Sequence, residues 1–184
     1  VCTAICPAPE VYDYDPRIIC DIVQSENLTL IEELLKKNTI WYCGECLSCK
    51  TRCPRGNAPG YIIQALRTLS QKRGYYIYSE RGMQQLELKR ILGNNMLKHG
   101  YCVYLDEIDT DYHPEQGPIW DWFKENRETL LKKIGANYRQ EGSGTLRLVP
   151  EEDMNELRSI FKETGATEWF DNIEKLCNES KVDK

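Results

Sequence analysis

Apolar residues return every three or four positions through most of the chain, the periodicity of helices with one buried face. Residues 16–24 (PRIICDIVQ) open on a proline suited to a first helical turn and bring together Ile18, Ile19, Ile22 and Val23. A second helix is predicted at 28–37, on Leu28, Ile31, Leu34 and Leu35. A third runs over 60–73 with Ile62, Ile63, Leu66 and Leu69 on one stripe, and Gly74 stops it. Residues 84–98 continue the pattern through Leu88, Ile91, Leu92 and Met96. The β-prone run at 101–105 has no evident partner strand and reads as a weak strand or a linker.

The stretch DEIDTDYHPEQGP breaks the pattern and reads as a boundary. Beyond it, helices are predicted at 118–134 (Ile119, Trp120, Phe123, Leu130, Leu131), 151–163 (Met154, Leu157, Ile160, Phe161) and 167–177 (Phe170, Ile173, Leu176). The segment 135–149 reads as a loop with short extended pieces. The expected fold is all-α, with a cysteine-bearing domain at 1–104 and a helical extension at 105–184 that packs on itself and on another subunit.

Composition narrows the function. The 184 residues are 41% hydrophobic and 29% charged, as in a soluble globular protein. Lys plus Arg number 24 against 29 Asp plus Glu, a net charge of −5 without a long basic block, which argues against a nucleic-acid binder. No apolar run approaches the roughly 18–20 residues of a membrane span, and no export signal is visible. The nine cysteines are the anomaly. Their crowding, without an export signal, points to metal ligation in a reducing cytoplasm rather than to a disulfide framework.

Cys43, Cys46, Cys49 and Cys53, followed by Pro54, form C-x2-C-x2-C-x3-C-P, the run that binds cubane iron–sulfur clusters in bacterial ferredoxins. Three thiols two residues apart on a tight turn reach three iron corners, while the extra residue and the proline send the fourth towards another cluster. Cys2-Thr3-Ala4-Ile5-Cys6-Pro7 is the second half of the same run, which implies two further cysteines upstream of Val1 unless the site is degenerate. On the interlocking rule one 4Fe–4S cluster takes Cys43, Cys46, Cys49 and Cys6, and a second takes Cys2, Cys53 and two ligands this sequence lacks. Structural zinc is the alternative; it uses two C-x2-C knuckles farther apart and fits this spacing poorly.

Cys20 on an apolar helix face, and Cys102 and Cys177 without cysteine neighbours, read as buried, inert thiols. His99 and His113 share no ligand spacing and read as surface or packing residues. Lys50, Arg52 and Arg55 flank the cysteine run, as charge compensation for a cluster or as a docking patch for an acidic partner. Trp41 and Tyr42 precede it and are expected to shield the cluster from water.

The segment CTAICP…DPRIICDIV…LIEELLKKNTIWYCGECLSCKTRCPRGN…YIIQALRTLSQKRG resembles the C-type subunit of heterodisulfide reductases over residues 1–74. The resemblance implies an α-helical ferredoxin fold with two 4Fe–4S clusters, a fold shared by succinate dehydrogenase iron–sulfur subunits. HPEQGPIWDWFKENRETLLKKIGANY and EGSGTLR are similar to the C-type subunit of the heterodisulfide reductase-like complexes of sulfur-oxidising prokaryotes. That implies electron relay between a flavin- and cluster-bearing A-type subunit and a catalytic B-type subunit, in oxidation of sulfane sulfur carried on a lipoate-binding protein. Methanogen-type heterodisulfide reduction, another dehydrogenase's iron–sulfur subunit and a structural zinc-binding interaction module are the alternatives. No nucleophile–base pair, phosphate loop or dinucleotide fingerprint accompanies the cysteines, so electron transfer is the chemistry expected.

Overall fold

In the computed structural model, which describes residues 2–103, 110–111 and 117–182, the protein is all-α, with no strand among those residues. Its helices are α1 (Cys2–Ile5), α2 (Pro16–Gln24), α3 (Leu28–Leu35), α4 (Ser48–Thr51), α5 (Pro59–Lys72), α6 (Glu80–His99), α7 (Pro118–Glu125), α8 (Arg127–Lys133), α9 (Glu151–Glu163) and α10 (Ala166–Val182). Short 3₁₀ turns lie at Ala8–Glu10, Asn38–Trp41 and Tyr75–Tyr78. No helix among the described residues is long and apolar enough to cross a membrane.

The chain divides into two compact units, one of Val1–Gln85 with Trp169–Lys184 and one of Leu86–Glu168. In the first, side-chain caps set the helix starts. The Asp15 carboxylate accepts from the Arg17 N–H (2.8 Å) just before Pro16, and also from the Thr3 hydroxyl (2.7 Å), which ties α1 to α2. Asn27 caps α3 by accepting from the Thr29 and Leu30 N–H groups at 3.1 and 3.3 Å. The Ser79 hydroxyl accepts from Gly82 N–H (3.0 Å) and donates to Asn38 Oδ1 (2.7 Å), fixing the start of α6. Gly74, at φ 73°, ends α5 in the left-handed conformation that glycine adopts without penalty.

Helix α5 is the hub of this unit, packed against α2, α3, α4 and the two later 3₁₀ turns. Ile19, Leu34, Leu35, Ile40, Ile63, Leu66 and Tyr76 are buried. The buried Ser70 hydroxyl donates to the Leu35 carbonyl (2.8 Å), one of the acceptors left over at the end of α3. The Tyr76 hydroxyl donates to the Ile173 carbonyl (2.6 Å), fastening α10 to the same core. The stripe prediction needs a refinement: Ile19 is buried, whereas Ile18 and Leu28 are 55% and 80% exposed.

In the second unit the expected helix at 118–134 is two helices, broken at Asn126. The Asn126 amide donates to the Trp122 carbonyl (2.8 Å), competing for an acceptor the helix ladder uses. Leu131 and Met154 are buried, and Trp120 and Phe123 stack at 6.0 Å. The loop at 135–149 carries backbone bonds from Asn137 to Thr145 (2.9 Å) and from Arg139 to Leu146 (3.0 Å) without becoming a strand pair. Residues 101–103 form no strand, and the rest of that β-prone run, most of the acidic boundary and His113 lie outside the described residues.

Candidate metal centre

The chain from Cys43 to Leu47 has no regular structure and turns sharply, with Glu45 and Leu47 in the left-handed region at φ 52° and 56°. Such a conformation in a non-glycine residue costs of order 1–3 kcal/mol and persists where its surroundings enforce it. Here the enforcing group is Arg67 of α5. Its guanidinium donates to the Ile40 carbonyl (2.7 Å) and the Cys43 carbonyl (2.6 Å), pairs with the Glu45 carboxylate and lies over the Trp41 ring at 5.5 Å. Leu47 then supplies the acceptor for the Lys50 and Thr51 N–H groups at 2.9 and 3.3 Å, and α4 carries Cys49 inward.

Cys6, Cys43, Cys46 and Cys49 line a single cavity. The rest of its wall is Pro7, Ala8, Tyr14, Pro16, Gly44, Leu47, Gly60 and Ile63. These are the four thiols that the interlocking rule groups together. Cys2 and Cys53 are part-buried and do not line that cavity. At Gly60 a Cβ would come within 3.1 Å of Leu47 Cδ2 and 3.6 Å of the Cys49 sulfur, so glycine leaves the room the loop occupies.

Electrostatics at the four thiols follow from this crowding. Burial pushes the Cys6 thiol up, with the nearby Cys43, Cys46 and Cys49 sulfurs acting in the same direction. The Cys46 thiol is pulled down by the Ser48 hydroxyl, 3.5 Å away, and by backbone N–H donors. The Glu45 N–H donates to the Cys43 sulfur at 3.4 Å. Thiols gathered in this way are suited to a cationic centre that bonds to all of them as thiolates.

The wall is otherwise apolar except at Tyr14. This residue is 4% exposed, stands edge-on to Tyr42 at 6.4 Å, and its hydroxyl oxygen is buried without a well-formed hydrogen bond. Burial, followed by the Cys43 and Cys6 sulfurs, pushes its phenol pKa above the ordinary 10.

As placed, no three His, Cys, Asp or Glu side chains among the described residues form a site for a metal ion. The four thiols line one cavity, and a cubane takes its ligands on separate corners. Soft thiols, a wall of proline and aliphatic carbon, and an orphaned buried donor together fit a sulfur-ligated iron cluster.

The aromatic shield and the burial of Cys102 change, whereas the two readings of Lys50, Arg52 and Arg55 both stand. Trp41 is buried beneath Arg67 and is absent from the cavity wall, as is Tyr42, which stacks on Tyr12 at 4.2 Å. Pro7, Pro16, Leu47, Ile63 and Tyr14 form the wall instead. Lys50, Arg52 and Arg55 are all exposed, and Lys50 donates to the Tyr61 hydroxyl at 2.9 Å. The part-buried cation behind the loop is Arg67, which sequence reading missed, although its place one turn after Ile63 on the core-facing side of α5 was a signal. Cys177 is buried as expected, Cys20 is part-buried, and Cys102 is exposed because α6 has ended before it.

No protein-family model matches the chain. It is 31% identical over 138 residues to the C-type subunit of the ferredoxin:CoB-CoM heterodisulfide reductase of Methanosarcina acetivorans, covering 75% of this chain and 52% of that protein. It is 33% identical over 88 residues to the C-type iron-sulfur subunit of the CoB–CoM heterodisulfide reductase of Methanopyrus kandleri, covering 48% and 44%. With the C-type subunit of the H(2):CoB-CoM heterodisulfide,ferredoxin reductase of Methanothermobacter marburgensis it shares 27% over 140 residues, covering 73% and 69%. The chain thus spans about half the length of the first two relatives. Its homologues are the C-type subunits of methanogen heterodisulfide reductases, which supports iron–sulfur electron transfer as its role.

Proposed function

We propose that this chain is an iron–sulfur electron-transfer subunit of a heterodisulfide reductase-like complex in the cytoplasm, with one 4Fe–4S cluster held by Cys6, Cys43, Cys46 and Cys49. The observation that carries the reading is the single cavity bounded by those four thiols, with Cys6 brought to Cys43 from 37 positions away in sequence. A cluster bound there supplies acceptance and release of one electron at a time. The chain's own residues do the rest. The thiols ligate, with Cys46 on the exposed side of the site, Arg67 holds the Cys43 loop in its strained conformation, and Pro7, Pro16, Leu47 and Ile63 supply an apolar wall. A second 4Fe–4S cluster would use Cys2 and Cys53 with two ligands from outside this sequence.

In the complex, the chain would relay electrons between a flavin-bearing A-type subunit and a catalytic B-type subunit. The resemblance of the 113–138 segment to sulfur-oxidiser subunits favours electrons drawn from sulfane sulfur on a lipoate-binding protein. The relatives' names favour the opposite direction, reduction of a CoB–CoM heterodisulfide. Assaying the purified complex with each donor and acceptor pair distinguishes the two.

The cluster itself is tested on the full chain purified without air and supplied with iron and sulfide. About four irons per chain at the Cys6 site, brown colour bleached by dithionite and loss of both in Cys46→Ser, but not in Cys177→Ser, support the reading. A colourless protein that retains zinc or no metal overturns it.

A further inference from the structure

The buried hydroxyl of Tyr14 has no well-formed hydrogen bond, and the groups that act on it most are the Cys43 sulfur, its one hydrogen-bonding neighbour there, and the Cys6 sulfur. Native proteins satisfy nearly all such groups, because an unpaired buried hydroxyl costs about 1–3 kcal/mol. Apart from the cysteines, Tyr14 contributes the only side-chain hydrogen-bond donor among the residues lining the cavity, since its neighbours there are Pro7, Ala8, Pro16, Gly44, Leu47, Gly60 and Ile63. At 4% exposure the ring is fixed by its packing, edge-on to Tyr42, so the hydroxyl cannot swing out to water. Pro16 and the Asp15 cap start α2 immediately after it.

We propose that Tyr14 donates a hydrogen bond to a sulfur of the cluster held at Cys6, Cys43, Cys46 and Cys49, and thereby raises its reduction potential. This rests on the proposed cluster. Reduction adds one negative charge to the cluster, and a fixed donor aimed at its sulfur stabilises that charge more than it stabilises the oxidised form. Tyr14 is therefore a positioning and tuning residue, with no proton transferred and no bond broken.

The test is a redox titration of the loaded full chain, followed by electron paramagnetic resonance. Tyr14→Phe removes one oxygen and keeps the ring. With iron content unchanged, it is expected to shift the oxidised-to-reduced ratio at a fixed potential about tenfold towards oxidised, which for one electron is a fall of about 59 mV. Tyr12→Phe, at a ring that stacks on Tyr42 and does not line the cavity, is expected to leave the ratio alone. Replacing Tyr14 with 3-fluorotyrosine strengthens the donor and is expected to shift the ratio the other way; it decides the matter if Tyr14→Phe fails to hold iron. An unchanged potential in both Tyr14 variants, or an equal shift in Tyr12→Phe, overturns the inference while leaving the cluster in place. A wild-type chain that takes up no iron fails the proposed function instead.

Discussion

Arg67 and Cys43 are joined by a 2.6 Å hydrogen bond from the guanidinium to the carbonyl oxygen, across 24 positions of sequence. Through it the central helix of the first unit holds the backbone of the cysteine loop by main-chain groups, leaving the Cys43 sulfur to face the cavity. The same side chain reaches the Ile40 carbonyl at 2.7 Å, so one planar fork serves both ends of the approach to the loop.

Removing that fork leaves buried carbonyls unpaired. Arg67→Met is expected to cost about 2–3 kcal/mol. In a chain of this length that is a fall of roughly 5–10 °C in Tm by circular dichroism. Arg67→Lys should recover only part of the loss, because an ammonium on a flexible stem cannot span both acceptors. Iron uptake should fall with both variants; a full cluster content in Arg67→Met would show that the loop holds itself.

Asp15 gives the fold an acid limb. The Thr3 hydroxyl, the Arg17 N–H and the Arg17 charge hold its carboxyl below the ordinary 3.8. A depressed folded-state pKa stabilises at pH above the ordinary value, and that contribution disappears as pH falls through the lowered one. Asp15→Ala is expected to cost about 1 kcal/mol at neutral pH as a lost cap. The difference in stability between it and wild type should shrink steadily below the ordinary carboxylate pKa. A difference independent of pH would place the cost in packing rather than in charge.

Gly82 sits within α6, where alanine would ordinarily stabilise by about 0.5–1 kcal/mol. A Cβ there would stand 2.5 Å from the Tyr76 carbonyl oxygen, a backbone atom that cannot rotate away. Gly82→Ala is therefore expected to destabilise by about 1–3 kcal/mol, as overpacked sites do. Denaturant unfolding reads the sign directly.

Exposure separates two cysteines with no proposed ligand role. Cys102 should react with a maleimide in the native protein within minutes, whereas Cys177, 1% exposed, should react only on unfolding. Mass spectrometry of peptides from the labelled protein checks both.

Helix starts were the most legible part of the sequence. Pro16 and Pro150 mark the helices Pro16–Gln24 and Glu151–Glu163, which match the predicted spans, because proline at a helix start acts locally. The break at Asn126 was hidden, since apolar periodicity continues across it and only the Asn126 side chain competes for the Trp122 carbonyl. Cysteine spacing pointed to the four thiols now found around one cavity, since the ligand turn is short and self-contained. Tyr14, Gly60 and Arg67 carry no motif. Each acquires its place only when α5 packs beside the loop, a relationship between distant segments that no local pattern encodes. Cys102 was misjudged for the converse reason: a general tendency of free cysteines to be buried says nothing about a position just past a helix end.

The bond from Tyr76 to the Ile173 carbonyl bridges 97 positions, and the intervening Leu86–Glu168 segment belongs to the other compact unit. During synthesis, then, the cysteine-bearing half leaves the ribosome well before the helix that completes its core. At the usual pace of about 5–20 residues per second, a nascent chain must wait several seconds for that closing piece. The wall around the four thiols comes wholly from residues between Cys6 and Ile63, so its parts are all synthesised before α10 exists.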